Sequence, residues 1–151
     1  MKRTICLTGI GLLLVSVALV SCAPAQKTVI SNSNLPTLKG AWEGWTDFGL
    51  GQAPAVLTYL EIINDSPPIQ GKITLNQLPG PVALVVPADA KTADNSLIID
   101  FKNGKISNQG TIIAQSGQNF VELTYYGGGK PKLEGWFYYW ALKGTLSVTK
   151  R

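Results

Sequence analysis

From position 38 onward, apolar and polar residues alternate in short runs and do not recur at helical spacing. In Ile69-Gln70-Gly71-Lys72-Ile73-Thr74-Leu75, Ile69, Ile73 and Leu75 fall on one side, and Gln70, Lys72 and Thr74 on the other. A period of two over this length marks a strand with one face buried. Similar runs predict strands near 39–47, 55–64, 69–76, 82–86, 96–101, 105–114, 119–126, 133–140 and 144–149. Turn signals separate them. Asn103-Gly104 fits a type I′ hairpin, because both residues tolerate positive φ. Asn64-Asp65-Ser66-Pro67-Pro68, Ser116-Gly117-Gln118-Asn119 and Gly127-Gly128-Gly129-Lys130-Pro131 read as further turns.

Eight or nine short strands, no amphipathic helix and no room for βαβ crossovers predict an all-β fold built as an antiparallel meander. Such a sheet has to close on itself or fold over, since open edges invite aggregation. The expected architecture is a single antiparallel up-and-down β-barrel of about eight strands, with a β-sandwich as the alternative. Gly40-Ala41-Trp42-Glu43-Gly44-Trp45 opens the sheet, and Gly144-Thr145-Leu146-Ser147-Val148-Thr149 ends it. The first stretch resembles the Gly-x-Trp strand of lipocalins and avidin-like proteins, which implies that Trp42 packs across one end of an eight-stranded barrel. Neither the remaining lipocalin motifs nor an avidin-type biotin constellation is found.

The start of the chain has a different pattern. Lys2 and Arg3 precede an apolar run, Ile5 to Val20, interrupted by Cys6, Thr8, Gly9, Gly11 and Ser16. As a helix it would reach about 24 Å, short of a bilayer core of about 30 Å, which suits a signal segment better than a span. Leu19-Val20-Ser21-Cys22 then resembles the lipobox of bacterial lipoproteins. The resemblance implies a signal peptide over 1–21 and a lipidated, palmitate-bearing Cys22. Residues 22–37 would then be the lipidated cysteine and a flexible tether, and 38–151 the folded domain. It also implies a membrane partner through the N-terminal lipid. With Ala23, not Asp, after the cysteine, it points to the outer membrane of a two-membrane cell, on the periplasmic face or the surface. An uncleaved transmembrane helix and a secretory signal cut near Ala23 or Ala25 are the alternatives. The tether, APAQKTVISNSNLPT after Cys22, lacks either periodicity and would span roughly 20–25 Å as a coil.

Removing Lys2 and Arg3 leaves eleven basic and nine acidic side chains, a net charge of +2. That is too little to argue for nucleic acid or a polybasic membrane patch. Cys6 leaves with the signal and Cys22 is taken by lipid, so the domain has no thiol or disulfide and depends on its core. With no histidine, His-based triads, ligands and general bases are excluded. Carboxylates such as Glu43, Asp47, Glu61, Asp100, Glu122 and Glu134 show no metal-loop spacing, and no cofactor, metal site or catalytic residue is assigned. Gly127-Gly128-Gly129-Lys130 lacks the spacing and following Ser or Thr of a phosphate loop.

The candidate binding surface is aromatic. On one strand Trp136, Tyr138 and Trp140 share a face and Phe137 and Tyr139 the other. Tyr125 and Tyr126 repeat the arrangement on the strand before. Trp42, Trp45, Tyr126, Trp136, Tyr138 and Trp140 are therefore the candidate ligand-binding residues, although such rings also serve to fill and plug a small barrel. The longest loops, 47–54 and 87–96, are where a ligand mouth would lie. The expected function is that of a non-catalytic, lipid-anchored envelope binding protein. It would hold a small apolar or sugar-like ligand inside the barrel or on its aromatic face. The alternative is a protein interaction module, such as an inhibitor of an envelope-targeting hydrolase.

Overall fold

A computed structural model of the protein describes residues 25–51 and 53–151. The expected signal peptide, 1–21, and Cys22 lie outside the described residues. The long strands are β2 (Gly40–Asp47), β3 (Val56–Ile62), β4 (Ile69–Leu75), β5 (Leu97–Ile106), β6 (Ile112–Ser116), β7 (Asn119–Gly127), β8 (Lys132–Tyr139) and β9 (Leu142–Lys150). Each is antiparallel to the next, and β2 also pairs with β9 from Trp42↔Lys150 to Asp47↔Thr145. These pairings close an eight-stranded up-and-down barrel, the expected architecture, and not the alternative sandwich.

Alternate residues of every strand point inward and pack as one cluster. Phe101 lies over Gly71, its partner across β4 and β5, and Phe137 over Gly144 across β8 and β9. A Cβ on either glycine would stand 2.3 or 2.5 Å from the facing ring. Glycine opposite an aromatic residue is thus how the bore accommodates two phenylalanines. The inward hydroxyls of Thr46 and Thr58 bond each other at 2.7 Å. No buried side-chain nitrogen or oxygen among the described residues lacks a partner, so this small polar pair costs the core little.

The expected tether is shorter than its composition suggests. Strand β1 (Gln26–Thr28) pairs with the last residues of β7, from Gln26↔Gly127 to Thr28↔Tyr125. It occupies the edge that β6 leaves open, since β6 pairs with β7 only as far as Leu123. The chain then bonds Gly110 through the Ile30 amide, and helix α1 (Leu35–Leu38) seals that end of the barrel. Ile30, Leu35 and Leu38 are buried. Leu35-Pro36-Thr37-Leu38 reads as polar and breaker-rich in one dimension, yet its two leucines three residues apart face the same way on a helical turn. Trp42, fully buried, donates its indole N–H to the Leu38 carbonyl at 2.9 Å.

Three further expectations are corrected. Residues 82–86 form no strand but helix α2 (Gly80–Val85). Val82 is buried while Leu84, which would share its face on a strand, is 89% exposed, and Pro81 in the first turn starts the helix. With Leu78 and Phe48, α2 covers the barrel end opposite α1. Asn103-Gly104 is not a turn but lies inside β5. Gly104 is opposite Ile69 where the register slips by one residue, and its missing Cβ lets the Ile69 carbonyl approach. The turn comes later, at Ser107 to Gly110, inside the strand expected over 105–114. There Gly110 has φ +68° and the Ser107 hydroxyl accepts from the amides of Gln109 and Thr111. Trp140, expected at a strand end, sits in the β8–β9 turn with φ +55°.

Replacing Leu35 by Ala should cost about 2–5 kcal/mol and Trp42 by Ala about 3–5 kcal/mol. Urea unfolding of the two variants checks this; a Leu35→Ala protein as stable as wild type would return the segment before β2 to the status of a tether.

Candidate functional site

Closure sorts the aromatic residues into two populations. Trp42 and Phe137 point into the core and are unavailable to a ligand, so the expectation for Trp42 as a binding residue is corrected. Its ring is needed inside, above α1. The inward residues around it, among them Leu60, Ile73, Ile99, Leu123 and Val148, are buried and fill the bore. β5 and β6 pair only at Lys105↔Ile113 and Ile106↔Ile112, and the seam above them reaches the inward residues Ile99, Phe101, Ala114 and Val121. That cleft has space for about one water molecule, about 10 Å³.

The outer wall of β7, β8, β9 and β2 carries the remaining candidates in register. Phe120 faces Tyr138, which faces Lys143. In the next row Glu122 faces Trp136, then Thr145, then Asp47. Below it stand Thr124, Glu134, Ser147 and Trp45. Tyr126 closes the face beside Lys132 and Thr149. Residues in a row are about 4.8 Å apart from strand to strand, so the face is continuous over roughly 15 Å.

Not all of these rings are free. Trp136 stacks on Phe120 with centroids 4.5 Å apart, carries Lys143 Nζ 5.3 Å from its own centroid, and donates its N–H to Glu122 at 3.1 Å. Tyr126 carries Lys132 Nζ at 5.3 Å. Both rings are half-buried and already engaged. Tyr138 is exposed at the upper edge. Trp140 is exposed too, but on a hairpin tip beside Gly117 and Gln118, so it does not continue the row of Trp136 and Tyr138. Trp45 is different. It is 57% exposed on a central strand, between two shallow grooves. One is lined by Asp47, Glu134, Thr145 and Ser147, the other by Pro54, Asn76, Gln77 and Asp94.

Beneath the first groove, on the inward side, two strands approach their neighbours closely at glycines. A Cβ on Gly135 would lie 1.9 Å from the Glu122 carbonyl oxygen, and one on Gly44 2.0 Å from that of Ser147. Only glycine fits such close backbone approaches. Glu134 is tied to Lys132 through one oxygen at 2.6 Å; Asp47 is exposed and accepts from the Gly49 amide. In the second groove Asp94 accepts from the hydroxyl of Thr92, and from that of Ser96 at 3.1 Å. These bonds, Thr92's first, hold its carboxyl below the usual carboxylate range.

Among the described residues no group of three His, Cys, Asp or Glu side chains could hold a metal ion, and no helix is long and apolar enough to cross a membrane. No protein-family model matches the chain, and neither the curated proteins nor the solved structures contain a significant match.

The depressed Asp94 carboxyl contributes to loop stability above its unfolded value, and the contribution is lost as pH falls through the lower folded value. Carbon-detected NMR titration should place Asp94 below 3.8 in the wild type, and Thr92→Val should move it upward; an unchanged titration in the variant would refute the hydroxyl as the main cause.

Proposed function

We propose that this chain is a non-catalytic, lipid-anchored binding module of the bacterial envelope that takes a sugar-like ligand on its outer aromatic face, centred on Trp45. The observation that carries this reading is Trp45 itself. A large ring, exposed on a rigid strand and flanked by two carboxylates and two hydroxyls, pairs an apolar surface with hydrogen-bonding groups at fixed spacing. A pyranose has that same division: its C–H face packs on an aromatic ring while its hydroxyls bond the groups around the rim. Strands hold such a constellation more precisely than loops do. The filled bore favours the outer face over the interior as the place of binding.

A non-catalytic role agrees with the chemistry available. The chain has no histidine and no thiol after Cys22. Asp47 and Glu134 stand on an open wall in contact with water, and Glu134 is already ion-paired. General acid catalysis by a carboxyl needs a desolvated site, which this groove does not provide.

A protein partner is the second reading, and one observation favours it. Leu50, Leu84, Val85 and Trp140 are all exposed at the end of the barrel covered by α2, and apolar residues gathered at one end mark interaction surfaces. The loops at 47–54 and 87–96 belong to that end.

Two experiments test the proposal. Titration of soluble envelope oligosaccharides should quench or shift tryptophan emission, and Trp45→Ala should weaken binding about tenfold or more while changing stability by less than about 0.5 kcal/mol. Binding that survives Trp45→Ala, or no saccharide response at all, rejects the outer-face site. For the anchor, cells fed radiolabelled palmitate should label the wild type and not Cys22→Ser; equal labelling of both would remove lipidation from the proposal.

A further inference from the structure

The barrel sorts its charges by end. At the end sealed by α1, three carboxylates are ion-paired, Asp65 with Lys39 at 3.8 Å, and Glu134 with Lys132 and Glu43 with Arg151 both at 2.6 Å, while Glu61 and Asp100 flank Lys72 across the β3–β4 and β4–β5 pairs. Lys27, Lys105, Lys130 and Lys150 at the same end have no carboxylate partner among the described residues. Lys27 lies on β1 and Lys105 at the end of β5. Lys130 is in the β7–β8 turn, and Lys150 at the end of β9 reaches the Thr37 carbonyl. The opposite end has Asp47, Asp89 and Asp94 against Lys91, which bonds the Ala83 carbonyl, and Lys143. A net charge of only +2 for the chain after the signal is therefore distributed as a basic end and a weakly acidic, apolar one.

The chain enters the barrel at the basic end. Gln26 is already paired with Gly127, so only three residues separate it from Cys22, and four Cα steps reach at most about 14 Å. That is little more than a Debye length of roughly 8–10 Å at physiological salt.

We infer that the α1-sealed end of the barrel docks on an anionic phospholipid surface, with the unpaired lysines against the headgroups and the apolar end facing away. The inference rests on the lipid-anchor reading of Cys22. Charge complementarity and the short connection select the occupant. A coil of fifteen residues would have let the domain turn freely, whereas a paired β1 fixes which end meets the bilayer. Basic residues held within a Debye length of anionic lipid are drawn to it, and salt weakens the attraction. The docked orientation leaves the outer wall around Trp45 upright and its upper edge clear of the membrane.

The test uses the mature protein purified from membranes and reconstituted into vesicles of phosphatidylcholine alone, or with about one-third phosphatidylglycerol. Flotation with the neutral vesicles reports the anchor separately. A water-soluble amine reagent, read residue by residue by mass spectrometry, reports docking. In the anionic vesicles Lys27, Lys105 and Lys130 should be modified about threefold or more slowly than in the neutral ones, with Lys143 unchanged and the protection lost in high salt. Flotation with the anionic vesicles only, reversed by salt, would support the basic surface while rejecting the anchor. Equal rates in the two vesicles, or slowing at Lys143 in place of the other three, would overturn the docking, and failure to float with either would overturn both.

Discussion

Pairing of β2 with β9 closes the sheet, and an eight-stranded closure has a bore just wide enough for side chains. That constraint decides the use of nearly every bulky residue. Trp42, Phe101 and Phe137 fill the bore, two of them over glycines that leave room for a ring. The open ends must then be covered, because an exposed apolar bore would cost far more than a few ordered residues. One end is covered by α1, whose carbonyl at Leu38 receives the Trp42 N–H, and the other by α2, Leu78 and Phe48.

Once the interior is filled, binding chemistry is left to the outside of the barrel. Strand pairing places Trp45, Ser147 and Glu134 in one row and Asp47, Thr145 and Trp136 in the next. Most of the rings on that wall are spoken for: Trp136 lies between Phe120 and Lys143, and Tyr126 under Lys132. Trp45 is the ring with open ground on both sides. It is exposed because it falls on the outward face of β2, between the inward Trp42 and Thr46.

Strand existence was legible wherever alternation was strong, as in Ile69 to Leu75, and so was closure from the Gly-rich first and last strands. The errors fall where a local signal met a tertiary demand. Asn103-Gly104 has turn chemistry, but the close approach of Ile69 uses that glycine inside β5. Val82-Ala83-Leu84-Val85-Val86 is apolar enough for a strand, yet the uncovered barrel end takes residues up to Val85 as a helix with Val82 inward, and Val86 is buried just after it. The residues before β2 look like a linker because their apolar positions, Ile30, Leu35 and Leu38, are sparse, and only the shape of the barrel's end brings them together. The aromatic candidates were visible as a set, but their division into Trp42 inside and Trp45 outside depends on which strand face meets the core.

Alternating hydrophobicity, the turn residues and the lack of histidine are properties of the linear chain. They suffice for an antiparallel meander and for setting aside His-based chemistry, because period and composition need no knowledge of neighbours, whereas the choice of barrel over sandwich was decided by the β2–β9 pairing. The position of charge is of another kind. Lys27, Lys105, Lys130 and Lys150 are scattered over more than a hundred residues, and of the ion pairs beside them only Lys132–Glu134 joins residues close in sequence. A net charge of +2 carries no direction until strand pairing brings distant residues to one end. Coulombic interaction depends on distance through space and not along the chain, so the basic end, the engaged rings and the exposed Trp45 became visible only once the barrel closed.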